Sequence, residues 1–111
     1  MIEEIVLNHL SEIMSVPVCM ELPSGLPSKW VQLQKSGSSC ENHVTTTMIV
    51  VNAYGESLLD AAKLNQEVIQ AMTNFAERND IASCRTVTDF YTPDTVTKRY
   101  RYQAVFDVTH Y

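Results

Sequence analysis

Two stretches of the chain repeat apolar residues at spacings of three and four, the pattern of an amphipathic helix. The first predicts a helix over residues 2–14, and Pro17 must end it because proline disfavours helix in the residue before it. The second begins at Ser57, a typical N-cap, and runs to near Arg78. Asn65 is the polar residue that interrupts its apolar stripe.

Alternating apolar and polar positions predict five strands. They cover residues 16–22, 29–35, 44–53, 82–91 and 99–109. The β-branched run at 44–53 is expected at the centre of the sheet. In the fourth strand, strict alternation puts Thr88 and Phe90 on the same face as Cys84. The polar segment 36–43 has no pattern and is predicted to be a mobile loop.

The elements follow the order helix, three strands, helix, two strands. Strands in runs with short connectors favour an antiparallel sheet. The sequence therefore predicts an α+β fold, a mostly antiparallel sheet with two helices packed on one face. The 111 residues are the length of one ordinary domain, so residues 1–111 are expected to form a single unit.

Charge and apolar content exclude several function classes. The net charge of −5 comes from 13 acidic and 8 basic residues, which argues against nucleic-acid binding over the whole surface. No apolar run is long enough to span a membrane, so no membrane contact is expected. The three cysteines are widely spaced, which favours a reduced environment over a disulfide framework.

Catalytic and metal-binding motifs are missing from the sequence. Cys40 and His43 have a spacing that suits two metal ligands, but a closed zinc site needs about four. Asp89 and Asp94 flank a turn and have the pattern of surface residues. We expect no cofactor, no metal and no catalysis, with an enzyme using Asp89, Asp94 or His43 as the remote alternative.

The sequence has one basic cluster, formed by Lys98, Arg99 and Arg101 and interleaved with Tyr100 and Tyr102. Alternation places the arginines on one face of the strand and the tyrosines on the other. Three charges give a weak footprint for nucleic acid. A positive edge that pairs with an acidic neighbour is the preferred interpretation, given the net negative charge.

The ordered segments resemble a known family. A helix, the stretch around Val16-Pro17-Val18 and a proline-containing connector come first, and an alanine-containing helix follows the third strand. Residues 90–95 (Phe-Tyr-Thr-Pro-Asp-Thr) and 99–104 (Arg-Tyr-Arg-Tyr-Gln-Ala) end the pattern. From Ile2 to Val108 the chain resembles the tail terminator and head–tail joining (neck) proteins of long-tailed bacteriophages and prophages. It departs from them at Gly37-Ser38, where such proteins often have paired glycines.

The resemblance implies a virion structural protein without catalysis. Such proteins form a homo-oligomeric ring, commonly a hexamer, at the head-proximal end of the tail, where tail-tube growth stops. The implied partners are other copies of the chain, the tail tube protein and the head–tail connector protein. DNA passes through the lumen without sequence-specific binding. The implied location is the neck of the virion, with assembly in the host cytoplasm.

Two alternatives remain at this point: a head-side stopper or joining protein of the neck, and a small cytosolic binding or regulatory module. The candidate contacts are the basic cluster and the polar segment that follows the second strand. They comprise Lys98, Arg99, Arg101, Lys35, Ser38, Ser39, Glu41 and His43. We expect charge reversal in the basic cluster to abolish assembly without unfolding the monomer.

Overall fold

The computed structural model describes residues 2–21, 25, 27–41, 44–75, 77 and 81–110. Two helices and five strands follow one another in the predicted order. They are α1 (Ile2–Ile13), β1 (Val18–Cys19), β2 (Trp30–Glu41), β3 (Val44–Gly55), α2 (Leu58–Phe75), β4 (Ile81–Tyr91) and β5 (Tyr100–His110). The strands form one sheet in the order β1-β2-β3-β5-β4. β3 is central, which confirms the prediction from its β-branched residues.

The two helices pack on one face of the sheet. All neighbouring strands are antiparallel except β1 and β2, which run parallel. One face of β2, β3 and β5 forms a single apolar cluster with the buried stripes of both helices. From the sheet, this cluster takes Val31, Leu33, Ile49, Val51, Ala53, Ala104, Phe106 and Val108. The predicted α+β class is thus confirmed. We call the opposite side of the sheet, which no described helix covers, the outer face.

The helix ends are set by local contacts. The Asp60 amide donates a hydrogen bond to Ser57 Oγ at 3.1 Å, which confirms Ser57 as the N-cap of α2. The helix ends at Phe75, before the predicted end, and Arg78 lies outside the described residues. No helix in the described part of the chain has both the length and the hydropathy that crossing a membrane requires.

Gly55 lies where the chain turns from β3 into α2. A Cβ at this position would lie 2.7 Å from the backbone nitrogen of Ala61, an atom that cannot move without shifting the helix. We therefore expect Gly55→Ala to lower the free energy of unfolding by about 1–3 kcal/mol in urea denaturation. Gly37→Ala is the matched control, because a Cβ there meets nothing within 4 Å. Equal stability of the two variants would contradict this close approach.

The predicted mobile loop at 36–43 is wrong over its described part. β2 continues to Glu41 and pairs with β3 as far as Val44. A bulge between Lys35 and Gly37 admits one extra residue, and pairing resumes at Gly37 opposite Met48. Residues 37–41 are all exposed, so the segment lacks the apolar alternation by which a half-buried strand is recognised. Asn42 and His43 lie outside the described residues.

The first predicted strand is much shorter than expected. Of its described residues, only Val18 and Cys19 pair, parallel with Val31 and Gln32, and Leu22 lies outside the described residues. The Val31 amide donates to the Pro17 carbonyl at 2.9 Å, so Pro17 lies at an edge, as its missing N–H requires. Met20, predicted to share a buried face with Val18, is 42% exposed. Sequence alternation overestimated this strand because it does not show where pairing ends, which here is at Cys19.

The predicted faces of β4 are wrong beyond Thr86. The pairing with β5 shifts between Thr86 and Thr88, so Val87 is an extra residue and the alternation changes face. Asp89 comes to lie opposite Ala104, on the side of the helices. Phe90 lies on the outer face opposite Gln103. One inserted residue is enough for this, because side chains in a strand alternate with a period of two.

Candidate functional site

The basic cluster lies at the end of the sheet where β2 begins and β3 ends. Trp30 and Tyr54 are paired in register on the outer face, and their rings stack with centroids 4.3 Å apart and planes inclined by 10°. The Arg99 guanidinium carbon lies 5.8 Å from the Trp30 ring centroid, and that of Arg101 lies 6.0 Å from the Tyr54 centroid. The arginines thus cover a buried aromatic pair, within the range of cation–π attraction.

Both arginines also bind other groups of the same chain. Arg99 Nη1 donates to Glu56 Oε1 at 3.0 Å. Arg101 Nε donates to the Thr92 carbonyl at 3.0 Å, and its Nη2 contacts Thr92 Oγ1 at 3.4 Å. Arg101 therefore helps to hold β5 to the turn before it, and Arg99 holds that turn to the residue that follows β3. These contacts alter the expectation for charge reversal, which at Arg101 should now destabilise the monomer.

Lys98 differs from the two arginines because it is exposed and lies in a turn. Its φ of 58° is in the left-handed region, which is uncommon for residues other than glycine. Asp94 and Arg99 form an isolated bridge that closes this turn. A shallow cleft of about 200 Å³ beside the turn is lined by Tyr91, Pro93, Asp94, Lys98, Arg99 and Tyr100. Of the predicted cluster, Lys98 is the cation best placed to meet another molecule.

The Asp94 carboxylate organises the turn. Its Oδ1 accepts from the Val96 amide at 3.0 Å, and its Oδ2 accepts from Thr97 Oγ1 at 2.8 Å. Burial alone would raise the pKa of Asp94, but these hydrogen bonds and the charge of Arg101 lower it below the ordinary value of 3.8. Asp94 thus has a structural role here.

The lowered pKa gives a pH-dependent prediction for Asp94→Asn. A carboxyl whose pKa falls on folding contributes stability above its unfolded pKa and loses it as the pH falls through its folded pKa. Because solvent screens this partly exposed carboxylate, we expect the variant to be only about 0.5 kcal/mol less stable than the wild type at neutral pH, with the gap closing below about pH 4. Urea denaturation across this pH range measures the gap. A gap independent of pH would contradict the role of the charged carboxylate.

The second group of candidates lies on the far half of β2. Lys35, Ser38, Ser39 and Glu41 are all exposed, and Glu41 pairs with Val44 at the end of the hairpin. Since a strand rises about 3.3 Å per residue, Glu41 is roughly 35 Å from the Trp30 end. The structure therefore does not join the two groups into one site, and His43 falls outside the described residues.

The groups considered for metal binding or catalysis have other surroundings. Asp89 Oδ2 accepts from Nδ2 of the buried Asn65 at 3.0 Å. Burial raises the pKa of the Cys84 thiol to about 11. Cys40 is exposed in β2. Among the described residues, no three histidine, cysteine or acidic side chains come close enough together to hold a metal ion.

Sequence alternation missed the most unusual surface, which is the strand β4. It is the last strand of the sheet and is exposed along its length except at Ile81 and Cys84. Val87, Phe90 and Tyr91 are 44%, 45% and 40% exposed. The bulge at Val87 carries no sequence signal that separates it from ordinary alternation. The position of β4 at an open edge follows from the order of the strands in the sheet, which cannot be read from the sequence.

The fold has a similar solved structure. A chain from the virion of a native gene transfer agent particle superposes with a TM-score of 0.71 at 13% sequence identity. The match covers 95% of this chain and 90% of that one. No protein-family model and no curated protein sequence matches the chain. The similarity is therefore one of fold, and it extends over nearly the whole of both chains.

Proposed function

We propose that the chain is a virion structural protein of a long-tailed phage or phage-like particle. It forms a closed homo-oligomeric ring, a hexamer, at the head-proximal end of the tail. There it ends the growth of the tail tube and joins the tail to the head connector. The observation that carries the proposal is the fold shared, over nearly all of both chains, with a component of a phage-like virion.

Charge and surface chemistry support a structural role. A ring of copies related head to tail needs two different contact patches on each subunit. The candidate contacts fall into two separated groups, one around Lys98 and one at Lys35 to Glu41. The net charge of −5 suits a ring through which DNA passes without adhering. The partners are other copies, the tail tube protein and the connector protein, and assembly takes place in the host cytoplasm.

Electron microscopy of particles that carry a gold-labelled tag on this protein tests the proposal. We expect label at the head–tail junction and on free tails that lack heads. Tails made without the protein should vary in length, because nothing ends tube growth. Label retained on tail-less heads would assign the chain to the head-side stopper or joining protein instead. Particles without label would overturn the structural role and favour a cytosolic binding module.

A further inference from the structure

Both long edges of the sheet are open in the described part of the chain. β4 is the last strand on one side. On the other side, β1 covers β2 only at Val31 and Gln32, which leaves the edge from Leu33 to Glu41 without a neighbouring strand. Outside the sheet ladders, no backbone hydrogen bond between described residues reaches either of these edges. Each edge therefore presents a row of backbone donors and acceptors.

An open edge of this length is a template for another strand. Proteins that stay monomeric usually blunt such edges with prolines, lysines, bulges, inward-pointing charges or very short strands. β4 has eleven residues with neither proline nor lysine, and its central bulge and inward-facing Asp89 have counterparts on the β2 edge, the bulge after Lys35 and Lys35 itself. It also exposes Val87, Phe90 and Tyr91 at the end nearest the turn. These features favour a partner on β4, and the chain itself offers a matching one.

Strand direction makes the two open edges complementary. β2, β3, β5 and β4 are each antiparallel to the next, so β4 runs opposite to β2. When copies follow one another head to tail, β4 of one copy meets β2 of the next in the antiparallel sense. We propose that these two edges pair, so that the sheet continues from subunit to subunit. The inference rests on the proposed function, which requires a head-to-tail contact of this kind.

The length of the free edge sets the register. β1 occupies β2 up to Gln32, so the first free residue is Leu33, and the last residue of β4 is Tyr91. We set Tyr91 opposite Leu33 and count one extra residue at each bulge within the paired stretch, between Lys35 and Gly37 and between Thr86 and Thr88; the other bulge of β4, between Ile81 and Ser83, lies beyond it. Side chains from the same face then meet, as the pleat requires.

In this register Asp89 lies opposite Lys35 of the next copy, on the side of the helices. Arg85 lies opposite Ser39, and Glu41 is its diagonal neighbour on the outer face. Directly opposite and diagonal pairs are both within reach of long side chains. Opposite charges therefore meet on both faces of the proposed antiparallel contact.

A charge exchange tests the contact directly. Lys35→Glu would face Asp89 of the next copy, and Asp89→Lys would face Lys35. We expect each single variant to raise the dissociation constant between subunits by roughly tenfold, measured by sedimentation velocity over a concentration series. The double variant, which restores opposite charges, should recover the wild-type value. Lys63→Glu in α2 is the control, because it makes the same charge change away from both edges.

The rescue separates assembly from folding. Asp89 also accepts a hydrogen bond from Asn65, so Asp89→Lys alone can lower stability. Lys35 is exposed and offers the cleaner single change. Recovery of assembly in the double variant cannot come from the lost Asn65 contact, which remains absent. Circular dichroism melting of the wild type and the four variants confirms that the compared species are folded.

Oxidative cross-linking provides an independent measurement. The same register places Cys84 opposite Cys40 of the next copy, and both are free thiols. Diamide can accept two electrons and two protons from such a pair, which becomes a disulfide while diamide becomes its hydrazine. We expect a ladder of covalent oligomers on a denaturing gel without reductant. Cys40→Ser should abolish the ladder, whereas Cys19→Ser should leave it unchanged.

The outcomes distinguish this contact from the proposed function. If rings form but diamide gives no covalent oligomers and the charge variants assemble like the wild type, the edge pairing is overturned and the ring must use another contact. If particles made with the Lys35→Glu variant carry as much label as those made with the wild type, the edge pairing is likewise overturned. Monomers at every concentration also overturn the pairing. Rings that cross-link and respond to the exchange, yet never join particles, would support the contact and overturn the proposed place in the virion.

Discussion

Trp30→Ala is expected to lower the free energy of unfolding by about 3–5 kcal/mol, one of the two largest effects that we predict for a single substitution. Trp30 is fully buried although it lies on the outer face, where no described helix covers it. Its ring stacks on Tyr54, and Arg99 lies over it. Removing the indole therefore leaves a cavity between these groups. Because small domains are stable by only about 5–15 kcal/mol, the loss approaches global unfolding.

Urea denaturation followed by circular dichroism measures this loss, since Trp30 is the only tryptophan and the variant has no indole fluorescence. Trp30→Phe is the matched control. It keeps an aromatic ring on Tyr54 and removes the indole N–H, which is buried without a hydrogen-bond partner in the described part of the chain. We expect a clearly smaller loss for this control. A similar small loss for Trp30→Ala would show that the outer face does not need the stacked pair.

The burial of Trp30 illustrates what alternation predicts and what it leaves open. The pattern at 29–35 correctly separates Trp30, Gln32 and Gln34 from Val31 and Leu33. The alternation does not predict that the outer face, on which Gln32 and Gln34 lie, also buries an aromatic residue. That burial depends on Arg99, far away in the sequence, and on Tyr54 of the neighbouring strand. Contacts between distant segments carry no local signal.

Asn65 gives the complementary case. In the sequence it interrupts an otherwise apolar helical stripe. In the structure it is 1% exposed and donates to Asp89, which faces the helices because a bulge shifts β4 by one residue. Neither Asn65 nor Asp89, taken alone in the sequence, indicates that the other is its hydrogen-bond partner. The polar residue in the stripe was the available signal, and a buried polar side chain generally requires a hydrogen-bonding partner.

The candidate site was predicted less well than the fold, for a physical reason. The spacing of apolar residues indicates which positions are buried, and it correctly predicted the helices, the central strand and the face of β5 that packs in the core. Contact with another molecule depends on which charged groups remain free after the chain has folded. The sequence grouped Lys98, Arg99 and Arg101 together, whereas the structure engages the two arginines within the chain. It also grouped 36–43 as a loop, although its described part continues an open strand.

Arg101→Glu is the other substitution from which we expect a large loss, about 2–3 kcal/mol in the free energy of unfolding. It removes two hydrogen bonds to Thr92, each worth roughly 1 kcal/mol, together with the cation–π contact to Tyr54. It also takes a positive charge away from the Asp94 carboxylate and adds a negative one. Urea denaturation measures the change.

Lys98→Glu is the control that decides what the basic cluster does. It makes the same reversal three residues earlier, at an exposed side chain, and we expect stability within about 0.5 kcal/mol of the wild type. If Lys98→Glu impairs ring assembly while Arg101→Glu mainly unfolds the monomer, one cluster combines a contact residue with a stabilising one. If Arg101→Glu instead leaves stability unchanged, its bonds to Thr92 contribute nothing, and the guanidinium is available for a neighbouring subunit.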